Sequence, residues 1–323
     1  MRSKSIFSWL VFLAVISAVF LGFQNFQEIS DWVRLRNYHP SERVVRLADD
    51  TTMKSSTRRV FYVNHPELDD KQEFNGHCRT TEQTIVLGCF IERKGIYLLD
   101  VKDSRLDGVV EVTAAHETLH AMYDRLSSKE REKVDKMTAD FYSHIDNERI
   151  KKTVESYRSK DPSVVPNELH SILGTEVRDL SPQLEDYYKR YFSDRSKIVD
   201  YSDKYEESFL SIESKAKEYD ARLSQLKEQI TANETSINSQ ITALEEKQRE
   251  LNMLLAADKR EEYNQQVPEY NKMVDDYNSL VSTTKGLIDE YNLLLRERNQ
   301  LVIQQQELYK AIDSNSINKR NSM

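Results

Sequence analysis

The alternation of apolar and polar positions changes several times along the chain, and each change predicts an element. Residues 6 to 23, "IFSWLVFLAVISAVFLGF", carry no charge and follow Arg2 and Lys4, close to the minimum length of a membrane-spanning helix. A cleaved signal peptide would end in small residues, whereas this run continues through Val19, Phe20, Leu21 and Phe23, so an uncleaved anchor is expected. Basic residues on the short side put residues 1–5 in the cytoplasm and the rest outside, although Arg34 and Arg36 weaken the asymmetry. Residues 24–59 are polar and weakly periodic and read as a juxtamembrane linker. "RVFYV" (59–63), "TIVLGCF" (84–90) and "GIYLLDV" (95–101) are then rich in β-branched and aromatic residues, with "ERKG" as a turn between the last two. They predict a small sheet containing a hairpin.

From Val109 onward the period is helical. A helix opens at Asp107 or Gly108 and runs to about Leu126, and the capping box "SSKE" (127–130) starts another that reaches about Tyr142. "KDPSVVPNE" (160–168) breaks the chain, a helix follows Pro166 through "NELHSIL", and "LSP" (180–182) breaks and caps again. Beyond Pro182, apolar residues recur three and four apart at Tyr191, Ile198, Tyr205, Phe209, Ile212, Ala216, Tyr219, Leu223, Leu226 and Ile230. A second seam, Met273, Leu280, Leu287, Leu294, Leu301 and Leu308, falls at strict heptad spacing. "AADKREEYNQQVP" (256–268) separates the two with a D-x-x-E cap and a proline, which predicts reversal into an antiparallel coiled-coil hairpin. The fold class is therefore α+β, a small sheet followed by a mainly helical C-terminal half. A domain over 60–185 is expected to precede a hairpin over 186–312 and a disordered tail over 313–323.

Composition narrows the function. Among 323 residues there are 7 glycines and 6 prolines, consistent with long helices, and 31% of residues are charged with a net charge of −8, which argues against nucleic acid as a partner. Cys78 and Cys89 are separated by a short loop; in an oxidising compartment they are expected to form a disulfide, with two buried thiols as the alternative.

The chemistry lies in "AAHETLHAMYD" (114–124). Side chains at i and i+4 of a helix share one face, so His116 and His120 can hold one zinc ion, with Glu117 beside the metal and placed to take a proton from bound water. Ala114, Ala115, Thr118, Leu119 and Ala121 are small or uncharged, as a helix buried beneath an active site requires. A catalytic zinc needs a third protein ligand, and the downstream donors are His144, Glu148, Glu155, Glu168, His170, Glu176 and Asp179.

These residues resemble the gluzincin branch of the HExxH metallopeptidases, in which a second helix supplies a glutamate. "NELHS" matches the thermolysin-like pattern N-E-x-x-S-D at Asn167, Glu168 and Ser171 and departs from it at Ile172, where the pattern has an aspartate that supports a zinc histidine. Asp124 and Asp179 are the alternatives for that role. The resemblance covers two short motifs and the preceding sheet, which it implies is zincin-like, and it does not reach the N-terminal run or the coiled coil. It implies Glu168 as the third ligand, with Glu176 as the alternative. His170 faces away from Glu168 and reads as a packed imidazole or a group supporting the site. Tyr157 is a candidate phenol for stabilising an oxyanion. His39, His65 and His77 read as loop residues.

The expectation is a single-pass protein of the cell membrane, anchored by its N-terminal helix, with an extracytoplasmic zinc metallopeptidase domain. Its partners are a peptide or protein substrate and a protein recognised by the coiled coil. An extended substrate is expected to pair with an edge strand, "GIYLLDV" or "TIVLGCF". The alternative is a non-catalytic membrane-tethered scaffold whose zinc site is structural or inert.

Overall fold

The computed structural model describes residues 26–78 and 85–314. The chain forms two compact units, one made of residues up to Ser208 together with those from Leu308 onward, the other of Phe209–Glu307.

The first unit is mixed α and β. It opens with three helices, α1 (Phe26–Leu35), α2 (Glu42–Asp50) and α3 (Ser55–Val63), where a linker and then a strand were expected. The Ser41 hydroxyl caps α2 by accepting from the Val44 amide. Val44, Leu47 and Ala48 of α2 and Thr57, Val60 and Phe61 of α3 recur three and four apart and are buried, a helical period that the mixed charge of 24–59 obscures. Asp31 of α1 accepts from Arg125 at 2.8 and 2.9 Å, and Arg34 donates to the Val63 carbonyl at 2.7 Å, so this region packs into the domain. "RVFYV" is thus the end of α3: its β-rich composition is too short a signal to outweigh packing.

The sheet has the order β1-β3-β2. Its third member is the unforeseen β1 (Glu67–Asp69), parallel to β3 (Gly95–Leu99), while β2 (Gly88–Ile91) pairs with β3 antiparallel across the expected turn. Ile96, Leu98 and Leu99 make β3 the buried centre. "GIYLLDV" is therefore central, and β2, paired on one side only among the described residues, is an edge. Between β1 and β2 lies α4 (Lys71–His77), whose C-cap Cys78 is disulfide-bonded to Cys89 of β2 with Cα atoms 6.0 Å apart.

Helix α5 (Val109–Asp124) carries the histidine motif and is apolar around most of its circumference, because the sheet and α3 cover part of it and α8 (Val165–Glu176) covers another. Gly174 permits the close crossing of α5 and α8, since a Cβ there would come within 2.5 Å of the Leu119 side chain. Between them run α6 (Ser128–Tyr142), opened by the Ser127/Glu130 capping box, and α7 (Glu148–Lys160), capped by Asn147. Ile150 and Val154 of α7 pack with Val165, Leu169 and Ile172 of α8. Next comes α9 (Pro182–Tyr188).

The second unit lies within two long helices, α10 (Ser196–Ala256) and α11 (Arg260–Ile312). They run antiparallel: Asp220 pairs with Arg298 at 3.0 Å, Arg222 with Glu290 at 2.6 Å and Lys247 with Glu269 at 2.9 Å. Leu223, Leu226 and Leu251 are buried between the arms. The reversal occupies 257–259, where Asp258 has φ 55°, and Pro268 sits inside α11, not at the turn as expected. There it removes one amide donor and crowds the carbonyl four residues before it, at a cost of about 3 kcal/mol.

The expected membrane placement is corrected. No helix among the described residues is long and apolar enough to cross a membrane. Residues 1–5 and 6–23, on which the anchor rested, lie outside the described residues, as do 315–323 of the expected tail. The single-pass anchor and the extracytoplasmic location drawn from it are withdrawn.

Candidate metal centre

His116 and His120 stand one turn apart on α5 with ring centroids 4.8 Å apart, and Glu168 reaches them from the first turn of α8. Nε2 of each imidazole lies 3.7 Å from a Glu168 oxygen, Oε2 for His116 and Oε1 for His120. One donor atom from each residue falls within 4.8 Å of the others, and Glu168 Oε2 is buried without a hydrogen-bond partner. Two imidazole nitrogens and a carboxylate, one of whose oxygens is buried without a partner, suit zinc, which takes such ligands in a tetrahedral set with one position open for catalysis.

Behind the imidazoles, only His120 is held by a hydrogen bond among the described residues. His120 Nδ1 is 2.9 Å from Oδ1 of Asn167, the residue before the carboxylate donor. Nδ1 of His116 faces Glu176 Oε1 at 4.0 Å, and Glu176 Oε2 accepts from Arg149 Nη1 at 2.7 Å. Glu176 therefore stands behind a candidate ligand, outside the convergent trio. Ile172, at the departure from the thermolysin-like pattern, is core, and Asp179 is exposed. Asp124 ends α5 and lines the cleft.

Burial would push the His116 ring down, but the carboxylates of Glu168, Glu117 and Glu176 carry it up to about 9. Burial and the neighbouring His116 push His120 down to about 4. Glu117, almost wholly buried, is pushed up to about 7 by burial, against His116 and reinforced by Glu168. It thus sits near the neutral range that favours a general base. Burial and the nearby carboxylates of Glu168, Glu117 and Glu176 raise Tyr157, which stays a neutral phenol able to donate.

A cleft of about 640 Å³ exposes this centre. Gly88, Cys89 and Phe90 of β2 form one wall, α5 the floor, and Tyr157, Pro166 and Asn167 the opposite side. Gly88 is required by the close approach of β2 to α5: a Cβ would lie 2.5 Å from Thr113 Cγ2 and 2.8 Å from Glu117 Cγ. Reasoning from sequence gave no role to Asn167, Gly88 or Arg149. Asn167 was within reach of the motif match, whereas Gly88 and Arg149 carry no local signal.

His170 is fully buried outside the trio. Its Nε2 is 3.0 Å from the Tyr187 hydroxyl, and burial, with the charges of His120 and His116, pushes it down to about 3, so it packs as a neutral ring. His77, at the end of α4, forms with Glu67 and Asp69 another group able to hold an ion, but it is 2.8 Å from Asp69 and packs on Tyr97, contacts that account for its place. No family model, curated protein or solved structure matches the chain.

Proposed function

We propose that the chain is a zinc-dependent metallopeptidase of gluzincin type, with His116, His120 and Glu168 as the ligands. The convergence of these three donors beside a buried glutamate with a raised pKa, in an open cleft, carries the reading. Zinc at this trio supplies Lewis acidity and lowers the pKa of water from about 15.7 toward about 7. Glu117 takes the proton from the attacking water and returns it to the leaving amine. Tyr157 donates to the oxygen on which negative charge develops. The edge of β2 that is unpaired among the described residues adds an extended peptide as a further strand, holding the scissile bond along the cleft wall.

A structural zinc site, the scaffold alternative, normally closes all four positions with protein ligands and has no use for a buried glutamate beside the metal. Zinc content and cleavage of a peptide library, with and without chelator, test the choice. Glu117→Gln is expected to keep zinc and lose hydrolysis. Unimpaired cleavage by that variant refutes the mechanism, and zinc-loaded wild-type protein that cleaves nothing favours the scaffold.

A further inference from the structure

The groups behind His116 extend further than orienting one imidazole requires. Glu176 presents Oε1 to His116 Nδ1 and Oε2 to Arg149 Nη1, at 4.0 and 2.7 Å. The other amine of the same guanidinium, Nη2, is 2.7 Å from Glu206 Oε1. That oxygen is also 3.2 Å from the hydroxyl of Ser202, which is fully buried. The side chains of Glu176 and Glu206 are only 12% and 17% exposed, so two largely buried carboxylates share one cation.

That ratio has an electrostatic consequence. A guanidinium divided between two carboxylates is offset by each only in part, so less of its charge is set against the Glu176 oxygen that faces His116. Given the whole of Arg149, Glu176 would present a weaker field. At 4.0 Å Glu176 acts on His116 through its field and not through a hydrogen bond, and a carboxylate behind a ligating histidine raises its basicity toward the metal, so the division bears on zinc affinity.

We propose that Arg149 and Glu206 are positioning residues of the metal centre: Glu206 competes with Glu176 for the guanidinium, so that less of the Arg149 charge offsets the Glu176 oxygen facing His116, thereby strengthening metal binding. The three residues belong to α7, α8 and α10, so the network also ties the start of the long helix to the zinc ligands. The inference rests on the metallopeptidase reading for the identity of the metal, but not on hydrolysis.

The experiment compares wild type with Glu206→Gln, Glu206→Asp, Arg149→Lys and Glu176→Gln at pH 8, above the value of about 7 to which burial and Glu176 push Glu206. It measures the zinc dissociation constant by chelator competition, the visible spectrum of the cobalt(II) protein, and the melting temperature of the metal-free form. Glu176→Gln should weaken zinc by about 10- to 100-fold and Glu206→Gln by about tenfold, with an altered cobalt spectrum. Glu206→Asp should restore most of the affinity, and Arg149→Lys should fall between wild type and Glu206→Gln. If Glu206→Gln lowers only the melting temperature, with zinc affinity and cobalt spectrum unchanged, the network is structural and the proposal is overturned. Wild-type protein that shows these responses but cleaves no peptide upholds the positioning role and refutes the peptidase; protein that binds neither metal refutes both.

Discussion

Oδ1 of Asn167 lies 2.9 Å from Nδ1 of His120. An amide oxygen can only accept, so Nδ1 carries the hydrogen and Nε2 keeps its lone pair on the side of Glu168. Asn167→Ala should weaken zinc by at least about tenfold, whereas Asn167→Asp, which accepts the same hydrogen with more charge, should hold or tighten it. Chelator competition measures both, and an alanine variant with wild-type affinity would remove Asn167 from the site.

Gly88 offers a test that separates metal binding from the proposed turnover. Its hydrogen faces Thr113 and Glu117, where a methyl group has no room. Gly88→Ala should push β2 away from α5 and misplace substrate and Glu117 together, lowering kcat/KM on the order of a hundredfold while zinc content stays stoichiometric. Equal loss of zinc and activity would show that the strand supports the ligands instead of the substrate.

The raised pKa of Glu117 makes the stability of the metal-free protein depend on pH. Burial is the main cause, and it moves the group from 4.5 to about 7. The folded state binds this proton more tightly than the unfolded state, so the contribution is complete below about 4.5 and is lost as pH rises through about 7. Glu117→Gln stays neutral throughout. In chelator-treated protein its stability relative to wild type should therefore rise by about 3 kcal/mol between the acid and alkaline ends of that window. Urea unfolding at several pH values measures the difference, and parallel curves would place Glu117 in a solvated environment.

The pairings of Asp220 with Arg298 and Arg222 with Glu290 mark the register of the hairpin. Exposed ion pairs of this kind contribute only about 0.2 to 1 kcal/mol each, so they report the register more than they hold it. Cysteines at Asp220→Cys and Arg298→Cys should be joined within one chain by a bis-maleimide. Products linked only between chains would show an intermolecular coil.

Long periodic segments were the most legible. The heptad from Met273 to Leu308 predicts a helix because nothing interrupts it, and the motif helix is legible because a turn separates His116 from His120. Short segments were not. "RVFYV" has the composition of a strand and the environment of a helix, and β1 is three residues long with no pattern of its own. In the site, ligand spacing within one helix is written in the sequence, but contacts such as Arg149 with Glu176 join residues far apart along the chain, and only packing brings them together. At Ile172 the sequence departs from the thermolysin-like pattern, and no local signal shows that Glu176, one turn further along α8, comes to 4.0 Å from His116.

The first unit is assembled from two separate stretches of chain, and the hairpin is spliced between them. The returning stretch is integral to the fold: Leu308 and Ile312 are buried, and Lys71 and Asn75 of α4 hold the carbonyls of Asp313 and Ser314 at 3.1 and 2.6 Å. Helix α4 in turn ends at the disulfide to β2, the wall of the cleft. A stop codon placed anywhere in the rod would thus do more than shorten it. It would also remove the returning stretch from the first unit, so the rod is an internal insertion and not an appendage of that unit.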